Sequence, residues 1–137
     1  MAKLTSECAQ KIVARAMQKA TADYKRPICV SVCDESGFLL AFGRMEKSPI
    51  RSIDIAQRKA FTAARMLIGT DVFLGRLQKN QYEASYFDPS FSALPGGNPI
   101  IDKDGNLLGA VGVSGLAPNE DQAITEAMAA LAASGEI

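Results

Sequence analysis

The chain has 137 residues, and its 15 lysine and arginine residues are balanced by 15 aspartate and glutamate residues. This length predicts a single domain over residues 1–137 with a core of its own. Because the positive charges form no cluster and no apolar run approaches the ~18 residues of a membrane span, we expect neither a nucleic-acid partner nor a membrane partner.

Three cysteines and no histidine are present. An odd number of cysteines without C-x-x-C spacing favours reduced thiols, and no signal peptide is visible, so we predict a cytoplasmic protein. Without histidine, Ser-His or Cys-His nucleophiles, the H-E-x-x-H zinc motif and histidine-ligated haem are excluded. Any acid–base chemistry would fall to Asp, Glu, Lys, Tyr or Cys.

The first third of the chain predicts a helix followed by a hairpin. Residues 5–24 carry apolar residues every three or four positions, after a Thr-Ser cap, which is typical of an amphipathic helix. "PICVSVCD" (27–34) predicts a strand with β-branched residues on one face and cysteine and serine on the other. Since neither face is strongly polar, this strand should lie inside a sheet covered on both sides. A turn at 34–37 leads into a second strand, "FLLAFGRM" (38–45).

The middle of the chain predicts two helices and a long irregular segment. Ser48-Pro49 is typical of a helix start, and the helix should reach about Ile68. Its buried stripe is predicted to consist of Ile53, Ala56, Ala60, Ala64 and Leu67. A shorter helix is predicted from Thr70 to about Lys79. Residues 80–99 show no periodicity, and such a long irregular segment is often functional.

The last third predicts a second hairpin and a final helix. Residues 102–108 repeat the D-x-x-G-x-L-L pattern of residues 34–40, so we expect two similar antiparallel hairpins. The final helix should begin at Pro118, end near Ala133 and be followed by a capping glycine, Gly135. The order α-β-β-α-α-β-β-α predicts an α+β domain, in which helices flank an antiparallel sheet.

Three segments, in this order and spacing, resemble a known family: "GRMEKSPIRSIDIAQRKAFTAA" (43–64), "LPGGNPI" (94–100) and "GNLLGAVGVSGLAPNEDQAI" (105–124). The chain resembles the GlcG/HbpS-type family, which also forms the C-terminal domain of PduO-type corrinoid adenosyltransferases. The resemblance implies a profilin-like α/β fold, with a five-stranded antiparallel sheet flanked by helices on both faces. It also implies homo-oligomers from dimer to octamer.

The resemblance further implies that some members bind haem or related tetrapyrroles and that others have accessory roles in glycolate, diol or corrinoid metabolism. Haem or a related tetrapyrrole is therefore the candidate cofactor, held without histidine. This chain departs from the family at Ala117, where a capping Ser or Thr is usual. That substitution should cost the last helix about 1 kcal/mol.

The glycine pair at 96–97 is a candidate ligand loop. Gly96 and Gly97 permit positive φ and close approach, while Pro95 and Pro99 hold the ends extended. A nest of backbone N–H groups there would suit a carboxylate, and Ser114 marks a second place where the backbone is bare. The alternative is that the two glycines only let a strand turn tightly beneath a helix.

Polar residues of the second helix add to this candidate site. Ser52, Lys59 and Thr62 are spaced to share one side of the helix, at the rim of its apolar stripe. The alternative for Lys59 is a solvated surface position. Asp54 and Arg58, four residues apart, should pair with each other.

Arg44, at the end of the second strand, is a candidate carboxylate clamp, with a surface ion pair to Glu46 as the alternative. The predicted ligand-binding residues are therefore Arg44, Ser52, Lys59, Thr62, Gly96, Gly97 and Ser114. Together they would form a positively biased pocket for a small acid or for haem propionates, in a cleft between the second helix and the glycine loop. No metal site is predicted.

Two other functions remain open. In the first, the chain is an enzyme acting on a small carboxylate or carbonyl compound, with Lys59, Arg44 and Asp54 as acting groups. Burial would lower the pKa of Lys59 and make it a base or an imine-forming amine. In the second, the chain is a structural subunit without a ligand.

If haem binds, axial ligands must come from sulfur or phenol groups: Cys8, Cys29, Cys33, Met17, Met45, Met66, Tyr82 or Tyr86. Cys29 and Cys33 lie about 13 Å apart along one strand and cannot share a metal, so the thiols are better interpreted as small buried apolar groups. The aromatic residues of the irregular segment would line a planar ligand, form an oligomer contact or belong to the core.

Overall fold

The computed structural model describes residues 3–137. Its elements are α1 (Ser6–Tyr24), β1 (Cys29–Asp34), β2 (Leu39–Arg44), α2 (Arg51–Met66), α3 (Thr70–Asn80), a 3₁₀ turn (Ala84–Tyr86), β3 (Gly97–Ile101), β4 (Leu107–Ser114) and α4 (Pro118–Ala133). This order of helices and strands is the one that the sequence predicts.

The strands form one antiparallel sheet in the order β2-β1-β4-β3. Helix α2 packs on one face, and α1 and α4 pack on the other, so the predicted α+β class with helices on both faces is confirmed. The fifth strand expected from the family resemblance is wrong, because residues 3–137 form four strands. The irregular segment before β3 holds a 3₁₀ turn and does not join the sheet.

Strand β1 is central and buried, as its sequence predicts. Val30 and Val32 belong to the larger core against α1 and α4. On the other face, Cys33 packs among alanines of α2 and β4. The α2 backbone approaches the sheet closely, since a Cβ at Gly112 would lie 2.2 Å from the Ala56 carbonyl oxygen.

Helix α2 begins at Arg51, two residues after Pro49, the first helical residue that the sequence predicts. Ser48 does not cap it, because the Ser48 hydroxyl donates to the Met45 carbonyl oxygen at 2.8 Å. The buried face is also rotated from the predicted stripe: Leu67 is 55% exposed, whereas Lys59 is buried. Small residues on the true inner face allow the close contact with the sheet.

The start of α4 partly compensates for the missing hydroxyl at Ala117. The Glu120 carboxylate accepts a hydrogen bond from the Ala117 N–H at 3.1 Å. One half of a capping box therefore remains, and the other half is absent because alanine has no acceptor.

The segment before β3 is held in place by aromatic packing and by a hydrogen bond from its Ser92 N–H to the buried Thr62 hydroxyl. Phe73 is buried and makes edge-to-face contacts with Phe87 and Phe91. Phe73 therefore belongs to the core beneath the loop, Phe91 is half-buried against it, and Phe87 covers it from the surface with 51% of its area exposed. Tyr82 and Tyr86 are exposed.

Candidate functional site

Lys59 lies in the middle of the buried face of α2 and is 1% exposed. Its Nζ donates to the Val113 carbonyl oxygen at 2.9 Å and to Asp121 Oδ2 at 3.2 Å. The solvated alternative for Lys59 is therefore wrong. The long side chain reaches past β4 to a carboxylate on α4, which joins the helical layers at one end of the sheet.

Gly96 and Gly97 make room for this ion pair and for α2. A Cβ at Gly96 would lie 2.7 Å from Lys59 Nζ and 2.8 Å from Asp121 Cβ, and Gly96 has φ +125°. A Cβ at Gly97 would lie 2.5 Å from the Lys59 carbonyl oxygen. Residues with side chains would clash at both positions.

The amides of these two glycines bind the protein's own side chains. The Gly96 N–H donates to Gln122 Oε1 at 2.7 Å, and the Gly97 N–H donates to Thr70 Oγ1 at 2.9 Å. The expectation that they form an open nest for a ligand anion is therefore wrong. The tight turn beneath a helix, our alternative interpretation, describes the loop better.

Asp121 is the functional candidate that the sequence reasoning missed. It is 2% exposed, and its Oδ1 accepts the Leu116 N–H at 3.1 Å. Burial raises the pKa of this carboxyl to about 6, because the loss of solvation outweighs the attraction of Lys59. Burial likewise lowers the pKa of Lys59, despite the attraction of Asp121. In the sequence, Asp121 resembles an ordinary acidic residue in the first turn of a helix.

A cavity of about 190 Å³ adjoins the ion pair, between α2, the end of β4 and the start of α4. Its polar lining residues are Arg51, Ser52, Lys59, Ser114 and Asp121, and Leu94 and Ile55 are among the apolar ones. Three of the predicted ligand-binding residues, Ser52, Lys59 and Ser114, thus lie together. We call this cavity the Lys59 pocket.

Several hydrogen-bond donors of the Lys59 pocket have no partner in the protein. An ammonium group has three donors, and Lys59 uses two of them within the protein. The Ser114 hydroxyl donates to Ser52 Oγ at 3.1 Å, which leaves one hydroxyl hydrogen of this pair free. Arg51 adds guanidinium donors, and each Asp121 oxygen already accepts one hydrogen bond. The pocket therefore suits an acceptor such as a carboxylate.

Three other predicted residues lie outside the Lys59 pocket. Arg44 is exposed at the end of the edge strand β2, with β1 between it and β4. Asp54 pairs with Arg58 at 2.8 Å, as predicted, and is exposed. Thr62 is buried, where its hydroxyl donates to the Arg58 carbonyl oxygen at 2.7 Å and accepts the Ser92 N–H at 2.9 Å. Thr62 therefore anchors the irregular segment to α2.

Four of the sulfur candidates for metal ligation have hydrogen-bond partners in the protein: Cys8, Cys29, Cys33 and Met45. Burial raises the pKa of the Cys33 thiol to about 12, so it is not a thiolate at neutral pH. Cys29 Sγ contacts Ser48 Oγ at 3.4 Å, and Met45 Sδ accepts the Ile28 N–H at 3.3 Å. Among residues 3–137, no group of three or more His, Cys, Asp or Glu side chains is placed to hold a metal ion.

Within the described part of the chain, none of the helices has both the length and the apolar character needed to cross a membrane.

The fold and the pocket define a small α+β domain with a buried lysine–aspartate pair beside a donor-rich cavity. A family model described as "Haem degrading protein HbpS-like" matches residues 4–130, and the chain belongs to this family. The resemblance found in the sequence motifs is therefore confirmed.

Individual relatives agree with this assignment. Protein GlcG of Escherichia coli K12 is 33% identical over 119 residues, which cover 81% of each chain. A 15.0 kDa protein of Citrobacter freundii is 29% identical over 120 residues, which cover 86% of this chain and 84% of the relative. A crystal structure of a double mutant of Streptomyces reticuli HbpS has a TM-score of 0.85 and 31% identity, covering 96% of this chain and 88% of that chain.

Proposed function

We propose that this chain is a ligand-binding accessory protein whose ligand places a carboxylate in the Lys59 pocket. The carrying observation is that the pocket has unused hydrogen-bond donors on two cationic side chains, Lys59 and Arg51. The family description connects related proteins with haem, which carries two propionates. A small organic acid also carries a carboxylate, so the same pocket residues would recognise either ligand.

The size of the pocket limits what enters it. A volume of about 190 Å³ equals the share of about six water molecules in the liquid. This space accommodates a small acid or one carboxylate arm, and a porphyrin ring would have to remain outside. Leu94 lines the pocket and is 46% exposed, so it offers apolar surface at the entrance.

The residues present fit the carboxylates of haem and not its iron. The sequence has no histidine, and none of the cysteine, methionine or tyrosine candidates lines the Lys59 pocket. Met17 and Met45 instead border a separate apolar groove beside α1. Our proposal therefore assigns carboxylate recognition alone.

The enzymatic alternative with Lys59, Arg44 and Asp54 acting together has little geometric support, because Arg44 and Asp54 do not line the pocket of Lys59. A catalytic version would have to use Asp121 instead. The low pKa of Lys59 is compatible with such chemistry. Binding without turnover remains the function that the free donors favour.

We also propose that the chain forms a homo-oligomer through the edge strand β2. Phe38, which directly precedes this strand, is 65% exposed, and Leu39, its first residue, is 54% exposed. An unpaired edge with large apolar side chains is typical of an interface. Light scattering after size-exclusion chromatography should show a multimer that Phe38→Ser with Leu39→Ser reduces in mass; a wild-type monomer would contradict this proposal.

The main proposal is tested by comparing haemin with haemin dimethyl ester, whose propionates are blocked. We expect a saturable Soret change with haemin, little change with the ester, and competition by formate. Equal binding of haemin and its ester would contradict recognition of the carboxylates. Formate binding without haemin binding would identify a small acid as the ligand.

Variants then locate the site. Arg51→Gln removes a cationic lining residue and should weaken haemin or formate binding about tenfold, the effect of one charged hydrogen bond. Arg58→Gln is the matched control, because Arg58 lies on the same helix outside the pocket and pairs with Asp54. If both variants weakened binding equally, the ligand would lie elsewhere.

A further inference from the structure

The Lys59 pocket already contains one carboxylate. Among its lining residues in the described chain, Asp121 is the acidic one, and it occupies a donor of Lys59. The Lys59 ammonium cannot move far, because the Val113 carbonyl oxygen and the Gly96 backbone hold it. A second carboxylate that reaches this ammonium must therefore come close to Asp121.

We propose that a bound ligand carboxylate replaces Asp121 as the counter-ion of Lys59 and that Asp121 takes up a proton from solvent as the ligand binds. This inference rests on the proposed function. Two carboxylates that share one buried site cannot both stay ionised at low cost, so one of them binds a proton. The proton goes to Asp121 Oδ2, no other covalent bond forms or breaks, and the Lys59 hydrogen bond passes from Oδ2 to the ligand carboxylate.

The surroundings of Asp121 favour this residue as the proton acceptor. When protonated, it keeps the hydrogen bond from the Leu116 N–H on Oδ1, and its new O–H can donate to the ligand. Lys59 faces it from α2, and Arg51 lines the same cavity. The neighbouring Glu120 has other partners: the Ala117 N–H at 3.1 Å and Arg26 at 3.5 Å.

The test measures how the affinity for formate depends on pH, and NMR titration of the wild-type protein is the readout. Formate stays ionised over this range, so a change in affinity reports on the protein. With a pKa of about 6 for Asp121, the protonated fraction is about 3% at pH 7.5 and about 75% at pH 5.5, so formate should bind about 25-fold more tightly at pH 5.5. Calorimetry at pH 7.5 in two buffers of different ionisation enthalpy should show uptake of nearly one proton.

Two variants separate charge from proton linkage. Asp121→Asn carries no titratable group, so its formate affinity should not depend on pH and should show no proton uptake. Arg51→Gln removes a positive charge that does not titrate, so it should weaken binding equally at both pH values. If formate binds with one affinity at both pH values and without proton uptake, the inference is wrong and the proposed function stands. If neither formate nor haemin binds at either pH, both are wrong.

Discussion

The buried pair of Lys59 and Asp121 makes a quantitative prediction about stability. Burial raises the pKa of Asp121 from 3.8 to about 6. A shift of about two units corresponds to about 3 kcal/mol between the two protonation states. Because the folded-state pKa is the higher one, the stabilising contribution of the neutral acid is fully present below pH 3.8. It is lost as the pH rises through 6.

Asp121→Asn removes this titration. We therefore expect the free energy of unfolding of the variant, relative to wild type, to increase by about 2.4 kcal/mol between pH 4 and pH 7. The constant offset caused by the amide itself cancels in this difference. Urea unfolding at four or five pH values, followed by circular dichroism, gives the required free energies.

Lys59→Met should shift the pH range over which the Asp121 contribution to stability is lost. The Lys59 charge lowers the pKa of Asp121, so its removal should raise that pKa further and shift the loss of stability above pH 6. Our reasoning would be refuted by a difference between Asp121→Asn and wild type that does not change with pH. A change of opposite sign would mean that pairing, and not desolvation, controls the Asp121 carboxyl.

Two further predictions concern the loop and its anchor. Gly96→Ala should destabilise the fold by about 3 kcal/mol or more, because its Cβ would meet Lys59 Nζ at 2.7 Å. Gly105→Ala is the control, because Gly105 also has a positive φ but has open space around it, and this variant should lose only about 1 kcal/mol of stability. Equal losses of stability for the two variants in urea unfolding would contradict a steric role for Gly96. Thr62→Val removes the acceptor of the Ser92 N–H and should lower the free energy of unfolding by about 1 kcal/mol. Hydrogen exchange at the Ser92 amide should become faster, and unchanged exchange would contradict the anchoring role of Thr62.

The Lys59–Asp121 ion pair also bears on the net stability of the fold. Replacing a buried ion pair with apolar residues is often neutral or stabilising, because desolvation offsets the Coulomb attraction. Here both pKa shifts show that desolvation outweighs attraction at each partner. We therefore expect the Lys59–Asp121 pair to contribute little net stability at neutral pH.

The elements and their order followed from the sequence, because periodicity, turns and caps are local properties. The duplicated D-x-x-G-x-L-L turns predicted both hairpins, and the alternation in β1 predicted a strand covered on both sides. Local patterns located α2 less well. Ser48 resembles a helix cap, but its hydroxyl binds Met45 instead.

The sequence by itself determined the α+β class and the family, and it predicted that Ser52, Lys59 and Ser114, which line one cavity, belong to one site. Only the tertiary structure decided that Lys59 is buried, that Asp121 is its partner and that Gly96 accommodates both. The physical reason is distance along the chain: Lys59 and Asp121 are 62 residues apart and meet at 3.2 Å because α2 and α4 pack on opposite faces of the sheet near one of its ends. No local pattern encodes a contact of that kind.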